Sequence, residues 1–228
     1  MSKRSYQQHC AIARALDVVG ERWTLLVVRE LLTGPKRFKD LLGGLPGIGT
    51  NLLAARLKEL EGHELVRRAT LPPPAGSKVY ELTETGRSLE PVVVGLCRWG
   101  FRFFLGAPRP EDELNPAWAM VAVRAALEPG AVGGTRETYE FRIDEEAFYV
   151  RVEDGEAEAR QGPAADPDLV ICGGTRIFLD LAAGRLEPTE AMESGAIRFE
   201  GDREALARCL KMFEVPAAGR GKGETPEE

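Results

Sequence analysis

The sequence predicts an α+β protein with two domains: an N-terminal domain of helices with a two-stranded hairpin, and a domain mixing strands with helices. Three observations support this class. Apolar residues recur at helical spacing through much of the first 106 residues, strand-like alternation is frequent from about residue 137 onwards, and the acidic, proline-rich stretch APRPEDELNP separates the two patterns. We expect domains over 1–106 and 118–215, a linker over 107–117, and a disordered tail over 216–228.

Composition limits the classes of function. The chain has four cysteines, none in Cys-x-x-Cys spacing, and two histidines, so we expect no metal site, no disulfide framework and no triad catalysis. The first ten residues lack a signal-peptide core, and no apolar run is long enough to span a bilayer. These features indicate a cytoplasmic protein that does not act on membranes, is not an enzyme and needs no cofactor.

The net charge of −6 conceals two parts of opposite sign. Residues 1–106 hold 16 Lys and Arg against 10 Asp and Glu, whereas residues 107–228 hold 14 against 26. A basic part within an acidic protein favours a polyanion as its partner, because the acidic part repels phosphate. The alternative is that the charge difference reflects drift in composition without a functional role. The arrangement of the basic residues has to decide between these two explanations.

Three helices are predicted first. CAIARALDVV forms one and ends near Gly20, and a second runs from Trp23 to Thr33, with Trp23, Leu26 and Leu31 in the core. PKRFKDLL forms a short third helix, which a pair of glycines ends.

The segment GIGTNLLAARLKELE, residues 47–61, predicts a fourth helix with Thr50 as its N-cap. Its leucines fall on one face, and the opposite face is small and polar, although most exposed helix faces carry long charged side chains. A helix in the major groove of DNA needs short side chains near the duplex and a few hydrogen-bonding groups directed at base edges. The residues predicted to face the groove are Asn51, Ala54, Ala55 and Lys58.

Two predicted strands follow the fourth helix. LVRRAT and KVYEL alternate apolar and polar residues, and the connection LPPPAGS is stiffened by three prolines. The order of helices followed by a hairpin is that of a winged helix. Basic residues beside the hairpin and around the third helix complete the predicted DNA-binding set: Lys36, Arg37, Lys39, Arg67, Arg68 and Lys78.

From Thr83 to Gly106 the sequence predicts one long helix, kinked at Pro91 and more apolar than so small a domain requires. A two-fold dimer would bury this surface and match a palindromic operator. Packing against the second domain would bury it equally well.

The acidic part predicts strands at ETYEFRID, EAFYVRVEDG, PDLVICGG and AIRFEGD. Helices are predicted at NPAWAMVAVRAALEPG, TRIFLDLAAGRL and DREALARCLKMF. The pattern is typical of an α+β domain with helices packed on a sheet.

Two runs in the basic part, ALDVVGERWTLLVVRELLTGPKRFKDLLGGLPGIGTNLLAARLKELE and VYELTETG, resemble the HxlR family of winged-helix transcription regulators. The resemblance implies a homodimer that binds operator DNA through Thr50 to Glu61 and the wing. The chain has Ala11 where the family usually has Pro after the cysteine, and Glu64 where it usually has Gly. Some members sense oxidants through the cysteine at the position of Cys10, so a redox sensor is implied there; a buried structural thiol is the alternative.

In the acidic part, LAAGRLEPTEAMESG and RFEGD resemble the sterol-carrier-protein-like domain. The resemblance implies an apolar cavity between sheet and helices that holds a lipid or another small hydrophobic molecule. A filled core that serves only dimerisation is the alternative. The residues expected to line the cavity are Trp118, Phe178, Leu181, Met192 and Phe213.

These features predict a homodimeric regulator of transcription that binds double-stranded DNA, represses rather than activates, and is controlled by an apolar effector. The alternative is a lipid- or small-molecule-binding protein whose winged helix mediates protein contacts.

Overall fold

The computed structural model describes residues 5–74, 76–127 and 135–213. Its contacts divide the chain into two compact units, Met1–Val93 and Val94–Glu228. The division falls within the long helix predicted after Thr83, so the domain limits given above stay predictions. The predicted tail, 216–228, lies outside the described residues. In the described part of the chain, no helix is both long enough and apolar enough to cross a membrane.

The first unit is a bundle of short helices with a hairpin. Its elements are α1 (Ala11–Val19), α2 (Thr24–Leu32), α3 (Phe38–Gly43), α4 (Thr50–Gly62), β1 (Val66–Thr70), β2 (Lys78–Leu82), α5 (Glu84–Arg87) and the start of α6 (Glu90–Phe103). β1 and β2 pair antiparallel, with Val66 opposite Leu82. The predicted winged helix is confirmed.

The core of the first unit follows helical periodicity. Leu53, Leu57 and Leu60 of α4 are buried, as their spacing predicts. The buried positions of α2 are Thr24, Val27, Val28, Glu30 and Leu31, and all of them except Glu30 recur on one helical face. Leu26 lies off that face and is 40% exposed, so its prediction as a core residue is wrong.

Two predicted helix features are corrected. Gly49, with extended backbone, is the N-cap of α4, and Thr50 is already its first helical residue. The single long helix predicted after Thr83 is two helices, α5 and α6. Pro91 is the second residue of α6, where the helix does not need its missing N–H, so it does not kink the helix.

Glu64 stands where the resembled family usually has glycine, and its backbone conformation is one that glycine adopts more easily. Glu64 adopts φ of +58°, in the left-handed region that favours glycine. A glycine at this position would adopt the same turn without the steric cost of a Cβ atom.

In the second unit, five described strands form one sheet. The elements are a 3-10 turn (Pro116–Trp118), α7 (Ala119–Ala126), β3 (Glu137–Ile143), β4 (Glu146–Glu153), β5 (Glu156–Gln161), β6 (Leu169–Gly173), α8 (Thr175–Ala182), α9 (Pro188–Glu193), β7 (Ile197–Gly201) and α10 (Arg203–Lys211). The strand order is β5-β4-β3-β6-β7. β3 and β6 run parallel, and the other neighbours run antiparallel.

Alternation along the strands places the core of the second unit on one face of the sheet. Tyr139, Phe141 and Ile143 of β3 are buried, and Phe148 of β4 lies opposite Phe141 with the two rings stacked 5.2 Å apart. The predicted α+β class is confirmed. β5 and α9 were not predicted: β5 alternates Glu and Ala and lacks β-branched residues. The Asp-Gly pair at 154–155 is the turn signal that could have revealed β5.

Candidate nucleic-acid interface and apolar cavity

The outward face of α4 is as small as the sequence predicts. Asn51, Ala54, Ala55 and Lys58 are exposed, whereas the leucines of the same helix are buried. Thr50, at the helix start, is also exposed. A duplex can therefore approach the backbone of α4 closely, with one amide and one ammonium group available for hydrogen bonds.

Arg56 fixes the orientation of α4. Its guanidinium donates to the carbonyl of Arg22 at 3.2 Å and to Glu21 at 2.9 Å, and it also bonds Glu59 of its own helix. Since the Arg56 side chain is 12% exposed, this attachment to the segment before α2 is largely shielded from water. This structural role of Arg56 was not predicted from the sequence. Arg56 lies beside the residues predicted to face the groove, and the sequence alone does not show whether an arginine at this position contacts DNA or another part of the protein.

A backbone bridge joins the third helix to the wing. The N–H of Lys36 donates to the carbonyl of Tyr80 at 3.0 Å, and the N–H of Tyr80 donates to the carbonyl of Lys36 at 2.8 Å. The segment before α3 thus extends the two-stranded hairpin by one bridge. Lys36 and the wing residue Lys78 consequently belong to one hydrogen-bonded surface.

The predicted basic residues fall into two groups. The arginines are already paired: Arg37 with Asp40 at 2.8 Å, Arg67 with Glu81 at 2.7 Å and Arg68 with Glu61 at 2.8 Å. Hydrogen bonds from Arg37 hold the pKa of Asp40 below its ordinary value. The lysines differ, because within the described ranges none has a carboxylate within 4.0 Å: Lys36, Lys39, Lys58 and Lys78.

This division predicts unequal contributions to phosphate binding. A lysine without a partner can neutralise a phosphate at once, whereas a paired arginine must first give up a carboxylate.

Cys10 occupies the N-cap position of α1 and is exposed, so it is not the buried structural thiol considered as the alternative. The backbone N–H groups of Ala13 and Ile12 hold the pKa of its thiol below the ordinary value. A low pKa and exposure are the two properties that make a cysteine reactive.

The second unit contains a cavity of about 100 Å³ bounded by α7, α8, α9, α10 and the sheet. This volume exceeds the ~10–15 Å³ that one water molecule needs. Four of the five predicted residues line it: Phe178, Leu181, Met192 and Phe213. Trp118 does not, because it belongs to the 3-10 turn before α7, whereas α7 contributes Ala119, Ala122, Val123 and Ala126.

The cavity is apolar throughout its lining. The ring of Phe141 on the sheet meets Phe178 and Phe213 edge to face, at centroid distances of 6.2 and 6.0 Å. Cys209 also lines it, and burial raises the pKa of this thiol, which is therefore neutral. With no ionisable side chain other than this thiol among its lining residues, the cavity suits an apolar molecule.

A partly buried cluster of charged groups lies elsewhere in the second unit. Arg208 of α10 forms a bidentate pair with Glu137 of β3, and the hydroxyl of Tyr139 donates to the same carboxylate. Hydrogen bonds from Arg208 hold the pKa of Glu137 below its ordinary value. This cluster joins α10 to the sheet and does not line the cavity.

A winged helix with an exposed, small-residue fourth helix and lysine-bearing flanks defines the class of helix-turn-helix transcriptional regulators. The chain belongs to the HxlR-like helix-turn-helix family, whose model matches residues 18–106. The HTH-type transcriptional regulator YodB of Bacillus subtilis is 40% identical over 89 residues, which are 39% of this chain and 80% of that relative. The DNA-binding winged helix predicted from the sequence is therefore confirmed.

Other proteins are also similar to parts of the chain. The uncharacterized HTH-type transcriptional regulator Mb3122 of Mycobacterium bovis is 41% identical over 101 residues, 44% of this chain and 61% of its own length. The solved structure of reduced YodB from B. subtilis is 37% identical and covers 43% of this chain and 97% of that chain, with a TM-score of 0.37. Residues 122–214 match the SCP-2 sterol transfer family, as the predicted sterol-carrier resemblance requires.

Proposed function

We propose that the protein is a homodimeric, sequence-specific repressor whose operator affinity is controlled by an apolar molecule in the second unit. The observation that carries the DNA-binding role is the exposed face of Asn51, Ala54, Ala55 and Lys58. Short side chains permit close approach to the duplex, and the neighbouring lysines, which have no carboxylate within 4.0 Å among the described residues, supply the charge that phosphate binding needs. Repression requires only that the bound protein exclude polymerase from the promoter.

The dimer is proposed from the exposed apolar surface of α6. Leu96, Trp99 and Phe103 are 54%, 55% and 60% exposed, and a surface of this kind is usually covered by a partner. A second copy is the partner that also doubles the base contacts and matches a palindromic operator. α1 exposes Ile12 and Leu16 as well, at 71% and 42%.

The DNA-binding role is tested by a gel shift with the DNA upstream of the protein's own gene, in the presence of unrelated competitor DNA. Ala54→Glu places a long acidic side chain on the face of α4, so we expect it to abolish the shift. Ala207→Glu makes the same change at an exposed position of α10 and should leave the shift intact. Equal binding by both variants would refute recognition through α4.

Effector control is proposed from the cavity. A molecule that fills it gains apolar contacts with three phenylalanine rings and reaches no charged group among the lining residues. The full-length protein should release co-purified apolar molecules detectable by mass spectrometry. Adding those molecules back should lower operator affinity by about 5- to 150-fold, the usual range of such coupling. Unchanged affinity would leave the second unit with a role in dimerisation only.

The alternative is a lipid- or small-molecule-binding protein whose winged helix contacts other proteins. The cavity favours it as much as it favours effector control. The gel shift separates the two, because a carrier should show no preference for any DNA sequence.

For Cys10 we propose a redox role, supported by its exposure and the lowered pKa of its thiol. Hypochlorite or a quinone should release operator DNA from the wild type and leave Cys10→Ser bound. The same response in both proteins would remove Cys10 from the mechanism.

A further inference from the structure

The part of α6 that begins at Val94 belongs to the second unit and is attached there by an arginine. Nε of Arg98 donates to the carbonyl of Ala125 at 2.7 Å, and Nη2 donates to the carbonyl of Leu127 at 3.0 Å. Both carbonyls lie at the C-terminal end of α7, where a helix lacks internal partners and favours positive charge. Arg98 thus caps α7 from α6.

A second arginine attaches the end of α6 to α8. Nη1 of Arg185 donates to the carbonyls of Leu105 and Gly106 at 3.2 and 3.0 Å. Nε of the same guanidinium donates to Asp180 of α8 at 2.8 Å. Arg185 therefore joins the residues just after α6 to a carboxylate on α8.

The two helices reached by these arginines both line the apolar cavity. Ala122, Val123 and Ala126 come from α7, and Phe178 and Leu181 come from α8. α7 and α8 also pack on each other. Any change in their spacing acts on both attachments of α6.

A third contact also connects the lining of the cavity to Arg98. Leu127, whose carbonyl Arg98 holds, forms an antiparallel bridge with Phe213. The ring of Phe213 lines the cavity, edge to face with Phe141. Displacement of Phe213 by a ligand would therefore act on Leu127 and, through its carbonyl, on Arg98.

We propose that Arg98 and Arg185 couple occupancy of the cavity to α6, whose first residues, up to Val93, belong to the winged-helix unit. This inference rests on the proposed function, in which the cavity binds an apolar molecule. A ligand gives α7 and α8 the dispersion contacts that an empty cavity denies them and so restrains both helices. Charge-assisted hydrogen bonds pass the restraint to α6. Since a ligand shifts only an equilibrium whose states it binds unequally, the coupling should appear as a change in the local opening of α6.

The test is hydrogen exchange of the full-length protein, measured by mass spectrometry with and without the neutral apolar probe N-phenylnaphthylamine. Probe binding is measured separately by its fluorescence. In the wild type the probe should slow exchange of the α6 amides from Leu96 to Phe103 by about fivefold or more, the lower end of typical coupling. Arg98→Met and Arg185→Met should bind the probe as the wild type does but lose this slowing.

Arg102→Met is the matched control, because Arg102 lies on the same helix and its guanidinium sits over the ring of Phe103 at 5.4 Å. It should keep the slowing. If Arg98→Met does not fold, Arg98→Lys replaces it, since an ammonium group cannot reproduce the two-pronged contact of a guanidinium. The coupling would be refuted if the probe still slowed exchange in both the Arg98 and the Arg185 variants. It would also be refuted if the wild type bound the probe without any slowing. In either case the cavity would remain a ligand site. A wild type that binds no probe would instead remove the ligand site, and the coupling with it.

Discussion

Single residues on the face of α4 and on the wing should contribute differently to DNA binding. Asn51 is exposed on α4 with an amide suited to a base edge, whereas Lys78 is exposed on β2 with a charge suited to phosphate. Arg68 lies next to this surface but is held by Glu61 and lies over the ring of Tyr80. The same positive charge therefore has different availability at Lys78 and Arg68.

Substitutions should show this difference. Asn51→Ala should reduce discrimination between operator and unrelated DNA by about 1–3 kcal/mol. Lys78→Ala should weaken binding to all DNA alike and lower the slope of log affinity against log salt by about one, with a smaller change for Arg68→Ala. Titrations at several salt concentrations provide the measurement. An equal loss of sequence preference in all three variants would contradict the assignment.

Cys10 and Cys209 should differ in reactivity by virtue of their environments. Amide N–H groups lower the pKa of the Cys10 thiol, so its reactive thiolate forms at lower pH than that of an ordinary cysteine and is lost only as the pH falls through this lowered pKa. Burial raises the pKa of Cys209.

In native protein, iodoacetamide should therefore modify Cys10 first, and the rate should level off at a lower pH than for free cysteine. Cys209 should stay unmodified until the protein is unfolded. Peptide mass spectrometry across a pH series measures both, with Cys10→Ser as the control. A Cys10 rate profile equal to that of free cysteine would show that the amides do not activate it.

Among the structural elements, α5 and the residue before β1 approach each other closely at a glycine. A Cβ atom on Gly86 would lie 2.0 Å from the carbonyl oxygen of Leu65, while one on Gly95 of α6 would meet nothing within 4 Å. Thr83 strengthens this junction, because its backbone N–H donates to the same Leu65 carbonyl at 3.0 Å.

Gly86→Ala should therefore lower the free energy of unfolding by about 1–3 kcal/mol, because strand or helix must shift to admit the methyl group. Gly95→Ala, the matched control, should leave it unchanged or raise it by about 0.5–1 kcal/mol. Denaturant titrations that follow the unfolding of each unit decide between them, since Gly86 belongs to the first unit and Gly95 to the second. Equal effects of the two substitutions would mean that the contact with Leu65 is not limiting.

For the whole molecule, the exposed apolar residues of α6 lead to a prediction about assembly. The wild type should have twice the chain mass of 24.9 kDa in light scattering. Leu96→Glu places a charge within the exposed apolar surface and should yield monomers. Operator affinity should then fall by about a hundredfold or more, since two linked half-site contacts become one.

Arg87→Glu introduces the same acidic side chain at an exposed position of α5, outside this apolar surface, and should stay dimeric. A monomeric wild type would remove the dimer from the proposal.

Local signals predicted most of the fold. The leucines of α4 and the alternation of β3 and β4 were readable because each of these elements has one buried face, which imposes a period on its own residues. The cavity residues Phe178, Leu181, Met192 and Phe213 were accessible only through the resemblance to a known domain. β5 was missed because an edge strand of Glu and Ala has no comparable apolar signal.

Local sequence patterns were sufficient to predict the winged helix, the α+β class and the small outward face of α4, since these depend on neighbours along the chain. Which charged side chains are paired depends on the tertiary structure. It paired Arg67 with Glu81 and Arg68 with Glu61, left Lys58 and Lys78 without a nearby carboxylate in the described chain, and brought Arg98 to the end of α7. The reason is that a salt bridge or a capping contact depends on distances of a few ångströms between residues far apart in sequence, which no local pattern encodes.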